Sequence, residues 1–173
     1  KTAGGNATLT LNAANNIVFN TAANVTSTAG ALGLTLNAGG AINTMRSISL
    51  NGGTLTVNAT GAVTQSSAIT GNTSVVKNGA GTFTLSQGNT YSGTTTISAG
   101  TLQVGAGGTT GTLGTGAVID NAALVFNRSN ALTVANAISG TGTVTKAGTG
   151  TLTRSGTNTY SGTTTINTGT LTL

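Results

Sequence analysis

Asp120 is the only acidic residue in this 173-residue sequence, which also contains no histidine and no cysteine. These absences set the chemistry on offer. Glycoside hydrolysis uses two carboxylates flanking the scissile bond, and only one carboxylate is present. General acid–base work most often recruits histidine. Zinc needs His and Cys ligands, and calcium needs several carboxylate oxygens. Asp120, in the string Val118-Ile119-Asp120-Asn121, therefore reads as a turn residue. Tyr91 and Tyr160 could also move a proton. They fall at equivalent points of a repeat, so they read as corner residues with the hydroxyl turned to water. The glycine string opening at Gly105 lacks the lysine and the helix of a phosphate loop. No catalytic residue, cofactor site or metal site is expected, and the chain reads as a non-enzyme.

Lys1, Arg46, Lys77, Arg128, Lys146 and Arg154 give a net charge of +5. They are scattered singly, without interleaved aromatics, whereas phosphate binding needs a concentrated basic surface. Nucleic acid is not an expected partner. Charged residues make up 4% of the chain, against about 25% in ordinary soluble domains. The 28 glycines would each cost roughly 1 kcal/mol in a helix interior. The hydrophobic 36% is arranged in short runs that alternate with Thr, a pattern suited to half-buried strands. Proline, absent here, would remove ladder donors. No run approaches the ~20 apolar residues of a membrane helix. The sequence opens at Lys1 without a visible leader and stops inside a pattern at Leu173, so it reads as a segment of a longer protein.

The elements that could position any surface are repeats. LTLNAANNI begins at Leu9, LTLNAGGAI at Leu34 and LTVNATGAV at Leu55, in steps of 25 and 21 residues. A longer unit starts at Lys77 as KNGAGTFTLSQGNTYSGTTTISAGTLQV and returns 69 residues later at Lys146 as KAGTGTLTRSGTNTYSGTTTINTGTLTL. That spacing reads as about three of the shorter steps. A period of this size suits one coil of a β-solenoid, in which stacked coils share a dry interior. Alternation places Leu9, Leu11, Leu34, Leu36, Leu55 and Val57 inside, followed by Phe83, Leu102, Val104, Leu124, Phe126, Val144, Leu152 and Leu171. Stacking places Asn12, Asn37 and Asn58 in one ladder of amides. The T-x-T pairs Thr8/Thr10, Thr54/Thr56 and Thr82/Thr84 face outward as a candidate surface array for ordered water or sugar faces, or simply as good strand formers. About seven or eight coils would make a rod roughly 35–40 Å long at ~4.8 Å per coil.

The stretches Gly79–Gly105 and Gly148–Leu173 share G-x-G-T-[LF]-T, N-T-Y-S-G-T-T-x-I and G-T-L. They resemble the passenger-associated transport repeat of bacterial autotransporters. The preceding LTLNA coils resemble haemagglutinin-type repeats of large exported adhesins. The resemblance divides the chain into residues 1–66, haemagglutinin-like coils, and residues 67–173, two autotransporter-type units continuing the same coil. It implies an all-β fold, a single right-handed parallel β-helix, exported by type V secretion to a Gram-negative cell surface. It implies a stalk segment of a secreted adhesin serving adhesion, aggregation or biofilm formation. The alternative is a ligand-binding solenoid whose Thr-rich face takes ice or glycan. Expected partners are adjacent coils of the parent protein, other copies through self-association, and a host or matrix glycan or protein. Arg154 stands where the first unit has the inward Leu85. An unpaired buried charge is costly, so Arg154 is expected at a strand end where its side chain reaches water.

Overall fold

A computed structural model describes residues 4–173; Lys1 lies outside the described residues. Among those residues every regular element is a β-strand, and every strand pairing is parallel. The chain winds through three faces per coil. The first face is one sheet of β1 (Ala7–Ala13), β4 (Leu32–Ala38), β7 (Thr54–Ala59), β10 (Ser74–Lys77), β12 (Thr95–Ile97), β14 (Val118–Asp120) and β17 (Ile138–Ser139). The second stacks β2 (Ile17–Val18), β5 (Ile42–Met45), β8 (Val63–Gln65), β11 (Thr82–Leu85), β13 (Thr101–Val104), β15 (Ala123–Phe126), β18 (Thr143–Lys146) and β20 (Thr164–Ile166). The third is split into β3 (Val25–Thr26), β6 (Ile48–Ser49) and β9 (Ile69–Thr70), then β16 (Leu132–Val134), β19 (Thr151–Arg154) and β21 (Thr170–Thr172). The molecule is a β-solenoid of about seven turns, and its first two sheets run unbroken past residue 66.

Alternation builds the core. Leu34, Leu55, Val75, Thr95, Val118 and Ile138 stack in register as one inward column of the first face. Val63, Phe83, Leu102, Leu124 and Val144 form the matching column of the second. These side chains, Thr95 among them, and those of Leu36, Val57, Val104, Phe126 and Leu152 are all buried. Leu9 and Leu11 face the same interior, in register with Leu34 and Leu36. No described coil stacks beyond β1, however, and Leu9 is 40% exposed. Leu171, on the last coil, is half-buried for the same reason.

The G-x-G of the long unit follows from corner-on-corner stacking. A Cβ on Gly81 would overlap the carbonyl oxygen of Gly61, and one on Gly150 would overlap that of Asn130. Gly100 and its counterpart Gly169 have φ of +70° and +74°, a left-handed conformation that L side chains rarely adopt.

The 69-residue spacing does not equal three coils. From Lys77, successive coils on the first face pass through Ile97 and Asp120, and the next coil brings Gly140 beside Asp120, its glycine backbone packed on the Asp120 carbonyl. Lys146 lies beyond that corner, in β18 on the second face. The whole unit moves with it. Phe83 sits on the second face and its counterpart Leu152 on the third. Ile97 sits on the first face and its counterpart Ile166 on the second. Tyr91 continues the third face past β9, whereas Tyr160 continues the first past β17. The repeat thus advances three coils and one further face. The three faces make the same demand, two inward side chains and a corner, so one sequence fits any of them.

Because Phe83 fills the column while Leu9 caps it, their truncations should differ. Phe83→Ala should cost about 3–5 kcal/mol and Leu9→Ala well under half of that. Chemical denaturation of the two variants against the parent chain checks this.

Candidate functional site

Polar side chains group in three places on this scaffold. The first is the Asn column on the outer side of the first face. Asn12, Asn37 and Asn58 are in register. Asn37 Nδ2 donates to Asn12 Oδ1, and Asn58 Nδ2 to Asn37 Oδ1, each at 2.6 Å. The column is exposed at Asn12 and half-buried at Asn37 and Asn58. It borders a shallow recess of about 470 Å³ lined by Ala13, Ala14, Ala38 and Gly39. Asn58 Oδ1 is buried without a partner; the next residue of the column is Asn78, one past the end of β10.

The threonines divide between faces. Thr8, Thr10, Thr54 and Thr56 lie on the first face, Thr82 and Thr84 on the second. Thr10, Thr35 and Thr56 stack in register, but Val76 follows them and Ile119 succeeds Thr96. Thr8 is separated from Thr54 by Gly33. One flat array of all six is therefore not formed. Gly33 and Val76 interrupt the columns of the first face, and Thr82 and Thr84 belong to the second strand of their coil.

The third place is where the third face is interrupted. The β3-β6-β9 and β16-β19-β21 sheets do not join. Between them lies a slot of about 330 Å³ lined by Asn89, Thr112, Leu113, Thr115, Leu132 and Asn136, among others. Its ends are pinned. Arg128 donates to the carbonyls of Gly111 and Thr109, and Asn136 Nδ2 donates to those of Gly114 and Gly116. The buried Asn89 replaces missing ladder bonds: its Oδ1 accepts from the Ile69 amide at 2.9 Å, and its Nδ2 donates to Thr112 O at 2.9 Å.

The charges do not sit where their types suggest. Lys77 and Lys146 are buried, not surface cations. They occupy inward positions at the ends of β10 and β18. Burial pushes both ammonium groups below the ordinary lysine range. Arg154 ends β19, as expected, but it points inward and is buried, with only 7% of its surface exposed. Its guanidinium donates to the Tyr160 hydroxyl and lies 5.1 Å from the centre of that ring, a cation–π contact. The register survives, because Arg154 pairs beside Val134 as the alternation requires. Arg46 spans three coils, donating to Thr21 O and Ser66 Oγ. Arg46, Lys77, Arg128 and Lys146 thus each contact a main-chain carbonyl or a hydroxyl of a neighbouring coil, Arg154 bonds the Tyr160 hydroxyl six residues on, and the net positive charge is not presented as one basic face.

Asp120 is likewise inward and fully buried; it ends β14 and serves the turn that follows, as its residue type suggested. Its Oδ1 accepts from the Ala122 amide at 3.1 Å, while Oδ2 has no partner. Burial raises its pKa above the ordinary 3.8. The Tyr91 hydroxyl is also buried, contrary to the expected outward corner. It bonds Thr95 Oγ1 at 2.9 Å, and Tyr160 makes the same bond to Thr164 at 2.5 Å in the other unit. The missed signal at Lys77 and Asp120 was the alternation itself: Val75-Val76-Lys77 and Val118-Ile119-Asp120 each put the charged residue in phase with an inward aliphatic, as the match to Leu85 had indicated for Arg154.

Fold and polar groups together define a β-solenoid stitched across its coils by its own charged and amide side chains. Residues 75–104 and 144–173 match the passenger-associated-transport-repeat model, about a third of the chain. Neither the curated proteins nor the solved structures gave a match. The matched ranges do not reach the early coils, so the haemagglutinin-type likeness rests on the LTLNA strings alone.

A raised carboxyl pKa means the folded state holds its proton where the unfolded chain has lost it. Stability should then fall as pH rises from about 3.8 through the higher folded-state value. Asp120→Asn should flatten that slope. Thermal melts of both proteins across mildly acidic pH check the sign.

Proposed function

We propose that this chain is a stalk segment of a secreted bacterial surface adhesin, part of an autotransporter passenger that holds a binding tip away from the cell. The observation that carries this reading is the pair of transport-repeat matches set within a stack of coils whose first two sheets run unbroken. The type of repeat points to an exported passenger and to a location outside the cell. Adhesion, aggregation and biofilm support are roles such a rod serves by length and by lateral contact. Its polar groups are consumed in holding coil to coil: Lys77, Arg128, Lys146 and Asn136 all bond carbonyls of the chain itself. The sole acid is buried and lacks a second carboxylate to work with, which supports a structural role over an enzymatic one. A Thr face for ice or glycan has less support, because the in-register run Thr10–Thr35–Thr56 ends at Val76.

A stalk tolerates the loss of a whole coil. Thr54 pairs with Ser74, so deleting residues 54–73 leaves the ladder able to close. In the full parent protein displayed on cells, this deletion should preserve antibody staining of intact cells and also preserve adhesion. Lost adhesion with staining intact would place the binding site in this coil and overturn the stalk reading.

A further inference from the structure

Lys77 and Lys146 hold the same position in the two transport-repeat units but sit on different faces of the rod. Their environments nevertheless match bond for bond. Lys77 Nζ donates to the carbonyl oxygen of Gly79 in its own corner and to that of Ala99, at 3.2 Å, in the following coil. Lys146 Nζ donates to Gly148 O in its own corner and to Thr168 O, at 3.3 Å, in the following coil. The stacked side chains are apolar in both directions: Lys77 lies between Val57 and Ile97, and Lys146 between Phe126 and Ile166. The direction is set by the inter-coil carbonyls, which lie only in the following coil. Thus the buried ammonium is solvated from one axial direction only.

We propose that this lysine is a directional latch: a coil that carries it is completed by the coil C-terminal to it, not by the coil before. A buried ammonium left without partners is costly. The lysine-bearing coil therefore closes stably only when the next corner is already in place to receive the charge. The duplication supports this reading, because one geometry is rebuilt on two faces with different neighbours. The inference concerns assembly of the rod and holds whether or not the rod is an adhesin stalk.

Amide exchange in the full chain tests the asymmetry directly. The coil after Lys77 is tied on by the amides of Ala99 and Thr101, which donate to Lys77 O and Gly81 O; the coil before is tied on by those of Gly79 and Gly81, which donate to Val57 O and Ala59 O. Lys77→Met should speed exchange at Ala99 and Thr101 roughly 10- to 100-fold, as for loss of one charge-assisted hydrogen bond. Gly79 and Gly81 should change less than about threefold. Lys146→Met should speed exchange at Asn167 and Thr170 while sparing Gly148 and Gly150. If the Met variants do not fold, Lys77→Arg and Lys146→Arg, which keep the charge and the donors, should retain protection on the C-terminal side. Equal acceleration on both sides, no acceleration, or loss of C-terminal protection in the Arg variants would overturn the latch.

Discussion

Every coil of this rod leans on main-chain hydrogen bonds to the coils above and below, and that parallel ladder governs the rest. Such a ladder tolerates no buried amide or carbonyl without a partner. It forces corners to stack on corners at the inter-strand distance, which leaves no room for a Cβ at Gly81 or Gly150. It also brings like side chains into line, so that Asn12, Asn37 and Asn58 share amide bonds and the aliphatic columns close against water. Where the ladder breaks, on the third face, side chains take over: Asn89 bonds across the gap in place of main chain, and Arg128 and Asn136 pin the slot at its ends.

The same constraint explains why so few charges suffice and why Lys77, Asp120, Lys146 and Arg154 are found inside. In a stack of near-identical coils, the carbonyls that need extra donors lie at the corners. A long cationic side chain rooted on an inward position can reach two of them at once. Lys77 and Lys146 do this at homologous corners on different faces. The repeat therefore encodes the interior and the corner, not a surface. Its outward residues fall on a new face each time it recurs, a poor way to build a continuous binding strip and an adequate way to build length.

Much of this was legible from residue order. Period-two alternation identified the columns through Leu34, Phe83 and Leu124, and the solenoid followed from repeats too short to fold alone. Three things were not. Residue type argued that Arg154 reaches water and did not mark Lys77 or Asp120 as interior, whereas strand phase put each of them inside; here phase prevailed because the ladder fixes side-chain direction before side-chain chemistry is consulted. Exposure of Leu9 depends on which coils stack beyond it, something no local pattern records. The rotation of the repeat by one face was hidden because three near-equivalent faces accept the same string. Its only trace was that 69 residues exceeds three coils of about 20–21 by one strand and corner.

Rotation of the repeat relative to the coil is the claim on which the structural reading of the transport repeat rests. The chain has no cysteine, so paired spin labels can be placed at will. Thr84 and Thr145 share an outer column of the second face, three coils apart through Gln103 and Val125; Thr153, the repeat counterpart of Thr84, lies on the third face. Pulsed dipolar spectroscopy should give the shorter distance for Thr84 with Thr145, near the roughly 14 Å of three inter-coil steps plus the label arms, and a clearly longer one for Thr84 with Thr153. The reverse order would mean that repeat and coil are in phase, and would contradict the account.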